Sequence, residues 1–316
     1  MVTHVSLGGS GLKVGPLVFG GNVFNWTADE ATSLRLLDAF VDSGLNMVDS
    51  ADVYSSWVPG HKGGESENLI GKWLANGGAR DKLLIATKCG MEMGPEAKGL
   101  SRDHIVRSVD NALGRLGTDY IDLFQSHLDD RKTPLEETLS TYTDLIKEGK
   151  IRAIGASNYK AERLVEALQV SKDNGLARYE SLQPEYNLYD RADYESSLAK
   201  VCVDNGVGVI PYFALAAGFL TGKYRSKDDL AGSQRGGMVK SKLDDRGMRI
   251  LDALAQVAGE LDATPAQVAI AWLIAQPSVT APIASATSLE QWAEIEKSVH
   301  LSLPADAMDV LAAASA

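Results

Sequence analysis

Short apolar runs and longer stretches of helical periodicity alternate along almost the whole of this chain. The runs lie at 17–21 (LVFGG), 45–49 (LNMVD), 83–88 (LLIATK), 120–126 (YIDLFQS), 151–156 (IRAIGA), 180–184 (ESLQP), 207–212 (VGVIPY) and 279–283 (VTAPI). Near-continuous apolar runs of this length read as parallel strands buried on both faces. Between them, 28–43, 66–76, 101–116, 134–149, 159–174 and 190–205 carry apolar residues at helical spacing. The stretch SRDHIVRSVDNALGRLG shows the pattern: Ser101 offers an N-cap oxygen, Ile105, Val109, Ala112, Leu113 and Leu116 follow helical spacing, and Gly117 can stop the helix.

Strand then helix, eight times, predicts an α/β fold of the (β/α)8 TIM-barrel type, in which the loops after the strands form the active face. Three segments exceed that repeat. Residues 1–15 read as an N-terminal hairpin capping the bottom of the barrel, residues 213–248 as a long loop over the active face after strand 7, and residues 299–316 add a last helix after Pro304. No linker or low-complexity break interrupts the alternation, so residues 1–316 are expected to form a single barrel domain.

Bulk properties exclude some functions. With 31 basic against 42 acidic residues the net charge is −11, which argues against a general nucleic-acid surface. No apolar run reaches the roughly 18 residues of a membrane span, and MVTHVSLGGSGLKV lacks a signal-peptide pattern, so a cytoplasmic protein without a membrane partner is expected. The two cysteines, Cys89 and Cys202, have no metal-ligand spacing, and no HExxH or Cys/His cluster occurs, so no metal site is expected. Cys89 reads as a small packed hydrophobe.

Four polar side chains change the picture. Asp49 and Lys88 close apolar runs, His127 abuts one, and Tyr54 follows Asp49 by five residues in the loop SADVY. In a parallel barrel these ends share one face, which brings a carboxylate, a phenol, an ammonium and an imidazole together. A phenol near its reference pKa of about 10 is a weak acid. A neighbouring Lys⁺ favours tyrosinate and so makes the phenol a better acid, and a carboxylate can hold that Lys charged and in place. The group suits protonation of a developing alkoxide, with a neutral His127 orienting a carbonyl oxygen. A Schiff-base lysine is the rival reading for Lys88, but an amine nucleophile needs a lowered pKa that Asp49 would oppose.

The segments MVDSADVY, ATK and QSH resemble the aldo-keto reductases, whose fingerprint is an Asp, Tyr, Lys, His tetrad in this order. GASNYK at 155–160, QPEYNLYDR at 183–191, YFALAAGFLTGKY at 212–224 and ATSLEQ at 286–291 look like the family's cofactor-binding segments. The likeness begins at LGGSGLKVGPLVFGG and is closest in pattern to bacterial reductases and potassium-channel β-subunit-like members. It implies reduction of a small-molecule aldehyde or ketone with NADPH, Tyr54 being the general acid. An NADP(H)-binding regulatory subunit with slow turnover is the alternative. No GxGxxG opens a βαβ unit, so a Rossmann domain is not indicated.

The resemblance also distributes the cofactor contacts. Ser157, Asn158 and Gln183 match residues that grip the nicotinamide carboxamide, and Tyr212 the aromatic stacked on its ring. Gly21, Asn22 and Asp49 border the cofactor. Leu215, Gly218 and Lys223 match the loop over the pyrophosphate, Arg235 a phosphate-contacting Arg, and Thr287, Gln291 and Glu294 the adenosine end. Ser285 stands where a Gly is usual, and Ile295 where an Asn commonly touches adenine. Trp26, Trp57 and the loop 55–64 are expected to line the substrate mouth. The physiological substrate and the oligomeric state are not legible.

Overall fold

The computed structural model describes residues 2–231 and 234–316. The first pairing is an antiparallel hairpin of β1 (Val5–Ser6) and β2 (Lys13–Val14). Eight parallel strands follow: β3 (Val18–Gly20), β4 (Met47–Asp49), β5 (Leu84–Cys89), β6 (Ile121–Ser126), β7 (Ile151–Ser157), β8 (Tyr179–Gln183), β9 (Gly208–Val209) and β10 (Ile283–Ala284). Their spatial order is β10-β3-β4-β5-β6-β7-β8-β9. The two edges of this curled sheet meet, since Val209 accepts from the Thr280 N–H at 2.8 Å and Pro211 from the Ile283 N–H at 2.8 Å. The arrangement fits a (β/α)8 barrel.

Helices α1 (Glu30–Asp42), α2 (Glu65–Ala75), α3 (Arg102–Leu116), α4 (Leu135–Lys147), α5 (Ala161–Asn174) and α6 (Ala199–Asn205) connect successive strands from β3 to β9. After β9 come a short α7 (Gly236–Val239), α8 (Asp245–Glu260) and α9 (Pro265–Ile274), and α10 (Leu289–Glu296) and α11 (Ala305–Ser315) follow β10. Among the described residues no helix is long and apolar enough to cross a membrane.

The period-2 alternation of the strands builds two cores. Phe19, Val48, Ile85, Phe124, Ile154 and Leu182 face outward and pack with helix residues such as Leu36, Phe40, Val109 and Leu164. Val18, Met47, Ala86, Leu123, Ala153 and Ile210 face inward and pack with Leu7, Leu12 and Val14 of the hairpin. The hairpin therefore plugs the lower end of the interior. Close backbone approach at this plug requires glycine: Gly8 adopts φ 53°, and a Cβ there would lie 3.2 Å from the Gly206 carbonyl oxygen.

Several local expectations need correction. Ser101 is the N-cap residue of α3, but its side chain makes no cap hydrogen bond; the Arg102 N–H is satisfied instead by Glu137 Oε1 at 3.0 Å. Gly117 does end that helix, at φ 63°. The stretch 190–205 is not one regular helix, because a π-helical turn (Tyr194–Leu198) precedes α6. The last strand sits at Ile283–Ala284 rather than 279–283, since Thr280 and Ala281 are taken up in closing the sheet on Val209. The segment 213–248 is less loop-like than expected, with Phe219, Leu220 and Val239 buried as anchors and α8 already begun.

Candidate active site

Continuing each inward strand face by two residues gives the top layer of the interior. Met47 is followed by Asp49, Ala86 by Lys88, Leu123 by Gln125 and Ser181 by Gln183, and all four polar side chains are buried. Lys88 Nζ donates to Asp49 Oδ2 at 2.7 Å, to the Ser50 carbonyl at 2.7 Å and to Tyr54 OH at 2.9 Å. Three acceptors match the three N–H groups of an ammonium and leave no lone pair for attack on a carbonyl. Burial lowers the Lys88 pKa from its ordinary value, and the Asp49 carboxylate opposes that shift.

Tyr54 is placed by the turn after β4, where its backbone N–H donates to the Ala51 carbonyl. Its hydroxyl accepts from Lys88 and donates to Asp49 Oδ2 at 3.1 Å. Burial of the hydroxyl and then the Asp49 charge push its pKa well above the usual phenol value. Lys88, bonded to the same oxygen, favours the tyrosinate and works against both of these effects.

Asp49 Oδ1 points the other way, accepting from Gln183 Nε2 at 2.9 Å and Gln125 Nε2 at 3.3 Å. Gln125 was not singled out by sequence reasoning; its signal was the inward parity it shares with Leu123. A second acidic pair lies behind Lys88. Asp52 is pushed up to about 7 by burial and by Glu67, while Glu67 accepts from Arg115 Nε at 2.6 Å and Thr87 Oγ1 at 2.6 Å.

His127 follows β6, its N–H donating to the Cys89 carbonyl and its own carbonyl accepting from Asn158 Nδ2 at 3.0 Å. The ring stands edge-on to Tyr54 with centroids 6.2 Å apart, and its Nδ1 is buried without a partner. Burial and then Lys88 lower its pKa to about 3, so the imidazole is neutral at ordinary pH.

The structure thus brings Asp49, Tyr54, Lys88 and His127 together, with Ser157, Asn158, Gln183 and Tyr212 beside them. Ser157 Oγ donates to the Gln183 carbonyl at 2.9 Å, and Tyr212 OH donates to Asn158 Oδ1 at 2.9 Å. Past Tyr212 the chain is strained: Phe213, Ala216 and Ala217 have φ of 56°, 47° and 58°, and Gly218 95°. Backbone strain of this kind clusters at ligand clamps. Leu215 starts that turn, and Lys223 is exposed, its Nζ 4.9 Å from the Tyr224 ring.

On the opposite rim, Gly21 is buried with its carbonyl accepting from Ser66 Oγ, and Asn22 Oδ1 accepts from Ser285 Oγ at 2.9 Å. The serine in place of a usual glycine therefore has two acceptors for its one hydrogen, Asn22 Oδ1 and, nearer at 2.7 Å, the Gly20 carbonyl. Thr287 Oγ1 donates to Gln291 Oε1 at 3.0 Å. Glu294 is committed elsewhere, accepting from Thr264 Oγ1 at the N-cap of α9, and Ile295 is buried in the outer core. At the mouth, Trp57 is 47% exposed and packs edge-on to Trp26 and Tyr54. Arg235 is not a solvated loop residue: its guanidinium lies 5.1 Å above the Trp26 ring, with Nη2 buried and unpartnered. Cys89 is buried.

Comparison with known proteins adds an independent finding. Residues 16–316 match the model of the aldo/keto reductase family. The chain is 33% identical to the uncharacterized oxidoreductase YrpG of Bacillus subtilis, over 98% of this chain and 94% of that protein. It is 34% identical to the probable voltage-gated potassium channel subunit beta of Oryza sativa (94% and 91%), and 34% identical to the L-glyceraldehyde 3-phosphate reductase of Escherichia coli K12 (91% and 84%).

The neutral, buried His127 has a consequence for stability. Its pKa falls from about 6.5 in the unfolded chain to about 3 in the fold, so between these values the unfolded state binds more protons. Its contribution is fully present above pH ~6.5 and is lost as pH falls toward 3. Asp52 has the opposite slope, so the test is the difference between wild type and His127→Asn in urea unfolding. That difference should shift in favour of wild type as pH rises to about 6.5 and then level off; a difference independent of pH contradicts the assignment.

Proposed function

This chain belongs to the aldo/keto reductase family, and from that premise we propose that it reduces an aldehyde or ketone to an alcohol with hydride from NADPH, Tyr54 acting as general acid. The observation that carries the reading is the mutual contact of Lys88 Nζ, Asp49 Oδ2 and Tyr54 OH, at 2.7, 2.9 and 3.1 Å, at the mouth of the barrel. The chemistry supplied by NADPH is hydride donation to the carbonyl carbon.

The residues present fit that cofactor. Gln183 presents its nitrogen to Asp49, which keeps its amide oxygen as the acceptor a carboxamide would need, and Ser157 and Asn158 are tied to the same strand end. Tyr212 offers a ring anchored through its hydroxyl on Asn158. By family resemblance, Gly21, Asn22 and Asp49 would border the cofactor, Leu215, Gly218 and Lys223 would cover the pyrophosphate, and Thr287 and Gln291 would stand at the adenosine end, where Glu294, also matched there, is engaged by Thr264. Arg235 contacts the 2′-phosphate, an anion that would satisfy its orphaned Nη2.

The proton path uses this chain's groups. His127, a neutral imidazole, would donate the hydrogen of its Nε2 tautomer to the carbonyl oxygen and so orient the substrate. As the oxygen becomes an alkoxide, the Tyr54 hydroxyl turns from Asp49 and gives up its proton. An alkoxide is a far stronger base than a phenolate, so a raised phenol pKa does not prevent the transfer. Lys88 then stabilises the tyrosinate through the bond it already makes. Trp26 and Trp57 wall the substrate, and the reverse oxidation runs through the same groups.

Tyr54→Phe removes the donor while leaving Lys88 and Asp49 paired. Reduction should fall by roughly 10²–10⁴-fold with NADPH binding retained. Near-wild-type turnover in this variant contradicts the assignment. A folded wild type that binds NADPH, reduces none of a broad carbonyl panel and forms a stable complex with a partner protein points instead to a regulatory subunit.

For the cofactor, Arg235→Ala should weaken NADPH by roughly 1–3 kcal/mol and NADH far less, measured by cofactor fluorescence. Equal weakening of both removes Arg235 from the 2′-phosphate.

A further inference from the structure

We propose that Gln125 is a positioning residue that sets the Gln183 amide for the nicotinamide carboxamide. The two amides and Asp49 form a closed triangle inside the barrel: Gln183 Nε2 donates to Asp49 Oδ1 at 2.9 Å and to Gln125 Oε1 at 3.3 Å, while Gln125 Nε2 donates to Asp49 Oδ1 at 3.3 Å. Gln125 is fully buried.

The chemistry of the three groups fixes their orientation. Asp49 is paired with Lys88, and an ionised carboxylate only accepts, so both amides must present nitrogen to it. A primary amide has two N–H hydrogens. Those of Gln183 are both engaged, one on Asp49 and one on Gln125. Its nitrogen is therefore saturated, and its oxygen remains to accept from an incoming carboxamide NH2. Without Gln125, one Gln183 hydrogen loses its buried acceptor, and the amide can rotate away from the orientation a carboxamide needs.

Space for Gln125 is part of the fold. The neighbouring strand has Gly155 at this level, and a Cβ there would lie 3.1 Å from Gln125 Cγ and would also collide with Ser181 Oγ. A larger residue at 155 would crowd the side chain that holds Gln183. Lys88 and Tyr54 meet Asp49 through Oδ2, on the opposite oxygen, so Gln125 acts on the carboxamide side of the site rather than on the proton donor.

The inference rests on the proposed contact between Gln183 and the carboxamide, and the test separates the two. Affinities for NADPH and for 2′-phospho-ADP-ribose, which has the phosphates and adenosine but no nicotinamide, are measured by calorimetry on wild type, Gln125→Leu, Gln183→Leu and the double variant. Gln125→Leu should weaken NADPH by roughly 3–10-fold, the value of one hydrogen bond, and leave 2′-phospho-ADP-ribose unchanged. It should add nothing in the Gln183→Leu background, because it acts through that residue. If Gln183→Leu weakens NADPH while Gln125→Leu does not, the positioning role is wrong and the carboxamide contact stands. If Gln183→Leu leaves NADPH unchanged, the carboxamide contact itself fails. Equal weakening of both ligands by Gln125→Leu marks a packing defect and also overturns the proposal. Should Gln125→Leu not fold, Gln125→Met keeps an unbranched chain of similar length and is read by the same criteria.

Discussion

Removing an ammonium and a carboxylate from water together is favourable only when their remaining hydrogen-bonding capacity is met. The Lys88–Asp49 pair meets that condition inside the barrel. Lys88 uses all three hydrogens, and each Asp49 oxygen accepts at least twice, Oδ2 from Lys88 and Tyr54, Oδ1 from Gln125 and Gln183. Remove any one donor and a buried charge is left partly unsatisfied. The groups around the pair are accordingly those the proposed reaction uses: Tyr54 on one oxygen and, on the other, Gln183, proposed to meet the carboxamide.

The rest of the fold delivers this pair to one point. Parallel strands end at a common level, so side chains two residues above the apolar interior become a polar layer regardless of their distance in sequence. The hairpin at the other end closes the interior from below with Leu7, Leu12 and Val14, which leaves the polar layer facing the mouth. The loops then add what strands cannot: Tyr54 from the turn after β4, the strained segment after Tyr212, and the Trp26–Trp57 wall with Arg235 against it.

Much of this was legible because the grammar is periodic. The eight apolar runs marked the eight parallel strands, and the polar residues closing them marked Asp49 and Lys88. What escaped has physical reasons. Gln125 lies within an apolar run rather than at its end, and only its parity with Leu123 marks it as facing inward. At the start of α3 the Ser101 side chain makes no cap bond, while the Arg102 N–H turns to Glu137 from another element, a partner no local reading supplies. The burial of the Tyr54 hydroxyl, and its bond to Asp49 Oδ2, depend on how the elements pack, which the order of groups along a sequence does not specify. The packing of Arg235 on Trp26 pairs residues about two hundred positions apart, and nothing in either local segment signals it.

The role proposed for the buried pair is proton delivery to a carbonyl that receives hydride. Single-turnover transfer from NADPH deuterated at both C4 positions to an aromatic aldehyde tests this in wild type and in Lys88→Met, with cofactor binding measured in both. The expected result is deuterium on the carbinol carbon of the wild-type product, and transfer slowed by orders of magnitude in Lys88→Met while the cofactor still binds. An unlabelled product, or a Lys88→Met variant that transfers deuterium as fast as wild type, would contradict it.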